Sequence, residues 1–261
     1  MRKCCCACSK PGKTMEYDCF VLSTGSVSPD CNEDFAILDA ELGIFVVADG
    51  VGGKPAGDQA SRLAGQSFLA ALRGEPASRR LADEVLNAAL EQANRELLAA
   101  GEGDVRLKGL SSTMTALVLD AARAKAVHVG DSRLYRYAAG TLSRLTTDHN
   151  LATELAATGA EGAAGLQRWL SRALGFGAQV KADIVEAIIR PGDIFVLATD
   201  GLAKSLPDAR LESVLDRTQA LSARSICEQL MSDAMSKPLD DDTTICIVKT
   251  GIPRNHDRED H

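Results

Sequence analysis

The sequence predicts an α+β chain in which two antiparallel β-sheets pack together with helices outside. Three observations lead there. Strand-like runs follow one another in hairpin-like succession, not in the strict alternation with helices that βαβ units require. Helical periodicity is concentrated in two blocks, one after the third strand and one near the C-terminal end. Residues 43–49 (GIFVVAD) and 193–199 (DIFVLAT) are nearly continuous apolar runs, which need cover on both faces.

Taken in order, residues 17–23 (YDCFVLS) read as a strand, and 24–34 (TGSVSPDCNED) as a turn-rich connection ending in acids. Strands at 35–38 and 43–49 lead into the Gly/Pro loop DGVGGKPAG. From Asp58 to Leu72 apolar residues recur at helical spacing (Ala60, Leu63, Ala64, Phe68, Ala71). In a second helix Leu81, Val85, Ala89, Ala93 and Leu97 fall four apart on one face. Strands at 113–119 and 125–130 precede RLYRYAAGTLSRL, a hairpin around Ala139-Gly140. Residues 149–178 are Ala/Gly-rich, with one short helix expected at Gln167–Ala173. Strands at 182–189 and 193–199 are joined at Pro191-Gly192. Helices at 208–217 and 222–235 and a strand at 243–249 complete the pattern.

The 261 residues are 45% hydrophobic and 25% charged, ordinary globular usage that excludes disorder, collagen and coiled coil as whole-chain descriptions. Aromatics are only 4%, so the core must be built from Ala, Leu, Val and Ile. Lys and Arg number 29 against 36 Asp and Glu, a net charge of −7, which argues against nucleic acid or an anionic membrane as the main partner. No stretch approaches the roughly 18 apolar residues of a membrane span. The N-terminal MRKCCCACSKPGKT is basic without the apolar core of a secretory signal. Of 8 cysteines, Cys4, Cys5, Cys6 and Cys8 crowd into that stretch. Soft-metal binding and lipid attachment are alternatives there, but the plain reading is a disordered tail with reduced thiols throughout. The expected organisation is a tail over 1–14, one domain over 15–250 and a frayed charged tail over 251–261.

One pattern carries chemistry. Buried strands end in an Asp followed by a small or turn residue: Asp49 after FVVA, Asp131 after VHVG and Asp200 after FVLAT. Asp240-Asp241-Asp242 precedes the last strand and Glu33-Asp34 the second. A single such Asp is ordinarily a turn former or cap. Several of them, on strands lying side by side, converge at one rim. Converged carboxylates repel one another unless cations neutralise them. Hard oxygen ligands select Mg²⁺, Mn²⁺ or Ca²⁺.

With these residues in view the chain resembles the PPM-type (protein phosphatase type 2C) metal-dependent serine/threonine phosphatases, in their bacterial style. The matching strings are NED (32–34), VVADGVGGKPAGDQAS (46–61), SSTMTALVL (111–119), VHVGDSRLYRY (127–137), LTTDHN (145–150), LSRALG (170–175), GDIFVLATDGL (192–202) and DDTTICIV (241–248). The resemblance implies a four-layer αββα sandwich with two metals, Mn²⁺ or Mg²⁺, at one end. It implies that Asp49 bridges both metals, that the Gly50 carbonyl ligates one, and that Asp200 and Asp241 complete the other. Glu33 and Asp34 would act mostly through bound waters. Asp131 matches the residue that, with Asp200, would hold a third, weaker ion. A hydroxide bridging the two metals would hydrolyse phosphoserine and phosphothreonine in proteins, reversing a cognate kinase, so no protein nucleophile is expected. The enzyme is expected to be a cytoplasmic monomer.

Three departures stand out. The phosphate-gripping Arg that the family carries five residues before the NED aspartate is Pro29 here, and Lys54 is a candidate substitute. A His that many eukaryotic members carry after the metal-bridging Asp-Gly is Val51, which leaves His149 as a candidate proton donor beside its structural reading. A Gly before the mid-chain Thr pair is Ser111, read as a local packing change. Residues 149–178 fall where the family has a variable flap, and their composition suits a mobile gate. The alternatives are a catalytically weak binding module on the same fold and a hydrolase of small phosphate esters.

Overall fold

The computed structural model describes residues 16–26, 32–51, 56–104, 107–159 and 165–251. The Cys-rich stretch, Pro29 and Lys54 lie outside the described residues. In chain order the elements are β1 (Tyr17–Thr24), β2 (Asp34–Asp39), β3 (Ile44–Val51), α1 (Ala56–Arg73), α2 (Asp83–Gly103), β4 (Ser111–Ser112), β5 (Met114–Leu119), β6 (Arg123–Val129), β7 (Arg133–Ala138), β8 (Thr141–Arg144), α3 (Leu151–Ala157), β9 (Asp183–Ile188), β10 (Ile194–Ala198), α4 (Asp200–Ser205), α5 (Asp208–Thr218), α6 (Ala223–Ala234) and β11 (Thr243–Thr250).

They form two antiparallel sheets. The first runs β1-β11-β10-β7-β8, and the second β2-β3-β5-β6-β9 with β4 paired to β3. Side-chain alternation explains why the central strands are apolar throughout. In β3, Ile44 and Val46 face a core shared with Ala60, Ala64 and Phe68 of α1 and Leu86 and Leu90 of α2. Phe45 and Val47 face the other way and meet Phe195, Leu197, Cys246 and Val248 of the opposite sheet. In β10, Ile194 and Val196 pack outward against Val214 of α5 and Ile226 and Leu230 of α6. Three cores therefore alternate with the layers, helix–sheet, sheet–sheet and sheet–helix, which is the four-layer arrangement expected. Each fully buried Leu, Ile, Val or Phe contributes about 1.5–3 kcal/mol of apolar burial.

The hairpin turn falls at the expected dipeptide. Ala139 and Gly140 have φ of 51° and 77°, the left-handed pair that a two-residue turn between twisted strands requires.

Residues 149–178 depart from the expectation. The helix expected at Gln167–Ala173 does not form. Its backbone is used between segments: Leu151 N–H donates to Trp169 O at 2.9 Å, and Ser171 N–H to His149 O at 3.0 Å. An isolated bridge Ser112–Leu174 ties the described part of this segment to the domain, and Asn150–Leu170 closes the segment on itself. The helix lies earlier, as α3, where the Asn150 side chain caps it by accepting from Thr153 N–H at 2.9 Å. The short α4 was also not expected.

Candidate metal centre

The strand-end acids meet at one end of the sandwich. Cross-strand register places Asp34 of β2 opposite Asp49 of β3. Asp200 starts α4 directly after β10, and Asp241 precedes β11, the neighbour of β10. Asp131 follows β6 in the other sheet. A cavity of about 590 Å³ is lined by Glu33, Asp49, Gly50, Asp131, Asp200 and Asp241 from the expected set. Ser26, Val51, Thr113, Arg168, Leu170, Lys204 and Asp242 complete the lining. Asp34 sits behind this wall.

Each carboxylate is positioned by its surroundings. Asp49 N–H donates to Thr113 Oγ1 at 3.0 Å, and Asp49 O accepts from Ser112 Oγ at 2.9 Å and Thr113 N–H at 2.8 Å. Asp34 Oδ2 accepts from Thr199 Oγ1 at 2.8 Å, which links the two sheets. Asp242 is engaged by the backbone: its Oδ2 accepts from Glu33 N–H at 2.8 Å and its Oδ1 from Ser26 N–H at 2.8 Å. It fixes the chain that carries Glu33. Gly50 must be glycine, because a Cβ there would lie 1.9 Å from Gly57 O. Its N–H donates to Glu33 O at 3.2 Å.

The electrostatics are strained in one direction. Burial pushes Asp34 up to about 7, with Asp242 and Asp200 adding to it, against hydrogen bonds from Thr244 and Thr199. Burial, then the charges of Asp34, Asp200, Asp241 and Asp131, hold Asp49 well above the usual carboxylate range. Asp131 rises to about 7 through burial and Asp200, and Asp200 is raised by burial despite Lys204.

Among the described residues no three His, Cys, Asp or Glu side chains are already drawn together at metal-ligand spacing. The residues nevertheless fit divalent cations. Asp34 Oδ1 and Asp200 Oδ1 are buried without a hydrogen-bond partner, which is costly for a carboxylate oxygen. The donors are all hard oxygens, and Gly50 leaves its backbone close to them.

Of the candidate residues outside the acids, His149 is structural. It is 2% exposed on its side chain, its Nδ1 accepts from Gly130 N–H at 3.1 Å, and its Nε2 lies 3.0 Å from Asp183 Oδ2. It does not line the cavity. Ser111 is buried and donates to Val51 O at 3.3 Å, in register with Val51 across β3–β4, a packing role as expected. Lys204, Thr113, Ser26 and Arg168 were missed, and Asp242 was seen in the acidic cluster without its role. Lys204 had a signal, since it falls four residues after Asp200 and so on the same helical face. Arg168 had none, because its segment lacks periodicity.

The chain matches the family model described as protein phosphatase 2C over residues 22–240. It is 30% identical over 217 residues to the serine/threonine phosphatase stp of Listeria innocua, covering 80% of this chain and 85% of that protein. The crystal structure of the Mycobacterium tuberculosis serine/threonine phosphatase PstP/Ppp superposes with a TM-score of 0.81 at 25% identity, over 92% of this chain and all of that one. The catalytic domain of PstP in complex with two manganese ions gives 0.78 at 26% identity, over 92% of this chain and 99% of that one.

Proposed function

We propose, from the premise that the chain belongs to the protein phosphatase 2C family and is a metal-dependent serine/threonine protein phosphatase, that its reaction centre is the acidic cavity. One observation carries the assignment: the strand-end acids of both sheets share a single cavity wall, with buried carboxylate oxygens left unpartnered.

The family's metals are Mn²⁺ or Mg²⁺. Asp49, the Gly50 carbonyl, Asp200 and Asp241 would hold them, with Glu33 on the cavity wall and Asp34 behind it. Bound there, divalent ions supply Lewis-acid activation of water and neutralise charge on the phosphoryl oxygens. The chain's own residues do the rest. Thr113 and Ser112 fix the Asp49 backbone, Thr199 fixes Asp34 and Asp242 fixes Glu33, so the ligand set is held before substrate arrives. No cysteine among the described residues lines the cavity. Cys227 and Cys246 are buried in the cores, and burial pushes the Cys227 thiol up to about 12 and Cys246 well above its ordinary value.

The substrates are phosphorylated proteins, and a cognate kinase and a monomeric, cytoplasmic enzyme with its catalytic domain over 15–250 complete the reading. The three cysteines among the described residues, Cys19, Cys227 and Cys246, are free, which supports the reducing compartment. No helix among the described residues is long and apolar enough to cross a membrane. The binding-module alternative has no observation in its favour. Hydrolysis of a phosphothreonine peptide should need Mn²⁺ or Mg²⁺ and stop in excess chelator. Asp49→Asn and Asp241→Asn should each abolish it while circular dichroism stays unchanged. Robust turnover in chelator would refute the assignment.

A further inference from the structure

Lys204 stands among the carboxylates of the cavity. Its Nζ lies 2.5 Å from Asp200 Oδ2 and 2.6 Å from Asp241 Oδ2. Asp131 lines the same cavity wall as Lys204, Asp200 and Asp241. The ammonium is therefore paired with Asp200 and Asp241 beside Asp131. A lysine ammonium paired with two carboxylates is a cation at neutral pH.

Asp131 and Asp200 are the pair to which a third, weaker metal ion would be assigned. Such an ion would have to share Asp200 with a covalently tethered ammonium a few ångströms away. A compact ammonium with three donors satisfies the same oxygens, and its tether holds it there at high effective concentration. Like charges at this range repel strongly in a partly desolvated cavity. The two arrangements compete for Asp200.

We propose that Lys204 is a built-in substitute for a third metal ion, so that this centre takes two divalent ions and the lysine ammonium supplies the third positive charge. The inference rests on the acidic cavity being the metal centre. Lys204 then acts at two stages. Before metal enters, the ammonium balances Asp200 and Asp241. Once metal engages Asp241, the ammonium would remain at Asp200, beside Asp131 on the cavity wall. Lys204 thus differs from Arg168, the other cation on the wall, which is exposed and makes no ion pair among the described residues.

The test counts ions and does not depend on turnover. Chelator-stripped protein is titrated with Mn²⁺, and free Mn²⁺ is followed by electron paramagnetic resonance with calorimetry in parallel. Wild type should saturate at two ions. Lys204→Asn, which replaces the ammonium with an oxygen ligand, should take a third. Lys204→Met, which removes only the charge, should take a third ion at Mn²⁺ concentrations at which wild type stays at two. Adding Asp131→Asn to Lys204→Asn should remove that ion again. Three ions on wild type, or two on both variants with wild-type affinity, would overturn the inference and leave the metal centre standing. Fewer than two on wild type would bring down the metal-centre assignment, and this inference with it. The wild-type count discriminates even where a variant folds poorly.

Discussion

Asp193 and Asp148 in the first sheet's surroundings, and Asp34 and Asp49 at the rim, are carboxylates removed from water by the same fold and treated in opposite ways. Asp193 is 5% exposed on its side chain, and its Oδ2 accepts from Arg136 Nη2 at 2.6 Å and from the Arg190 N–H at 2.8 Å. Asp148 receives Arg133 through Nε at 3.0 Å and Nη2 at 2.7 Å, with Arg144 nearby at 3.5 Å. Asp34 and Asp49 have hydroxyl and amide neighbours but no arginine, and their surroundings push protons onto them. A buried acid that only supports the fold comes with its own cation. An acid left without one, beside others of its kind, is waiting for a cation from outside. The contrast holds for Asp34 and Asp49, whereas Asp200 and Asp241, also at the rim, share the ammonium of Lys204.

The contrast can be broken from either side. The largest effect is expected on the rim. Asp49→Asn should lower metal-dependent turnover by on the order of a thousandfold or more, since it removes a metal ligand. The melting midpoint of the metal-free protein should not fall, because a mutually repelling charge is gone. A clear drop in that midpoint would mean that Asp49 is architectural after all. Asp193→Ala should do the reverse: about 3 kcal/mol of unfolding free energy lost by urea titration, with Arg136 left unpaired, and activity per folded molecule retained.

A smaller effect comes from the buried histidine pair beneath Gly130. His128 is fully buried, and burial, aided by the neighbouring His149, lowers its pKa to about 4 against an ordinary 6.5. Its folded value is lower than its unfolded value, so the unfolded chain takes up the proton first. Its neutral form is fully accommodated above about pH 6.5, and stability should decline as pH falls from there toward 4, by on the order of 3 kcal/mol at the acid end. Urea midpoints between pH 7.5 and 5 would show the slope, and His128→Gln should flatten it. The smallest effect belongs to exposed pairs. Arg224–Glu228, 2.9 Å apart on α6, should contribute less than about 0.5 kcal/mol, and Arg224→Ala should leave both stability and turnover nearly unchanged.

Much of this was legible in the residue string. The apolar runs of β3 and β10 announced buried central strands, and α1, α2, α5 and α6 were readable because one face of each carries apolar residues at helical spacing. The strand-end acids were legible because Asp at the end of a core strand is an anomaly that recurs. The segment 149–178 was not legible. Its residues Gln167–Ala173 have helical composition, yet their amide and carbonyl groups bond to His149 and Leu151, and no local pattern encodes that pairing. The flap expectation is also narrowed, since its described part is tied to Ser112 by the bridge at Leu174.

The sequence by itself determined which strands are buried, where they end and that an acid stands at each end. These are local properties, written in periods of two and in composition, and they survive without knowledge of neighbours. Only the tertiary structure decided which acid meets which partner. Asp34 faces Asp49 through β-sheet register, Thr199 reaches Asp34 across the two sheets, and Lys204 reaches Asp241 across 37 positions of chain. Charge compensation is a property of distance in space, and only packing brings residues far apart in the chain to within an ion pair's reach.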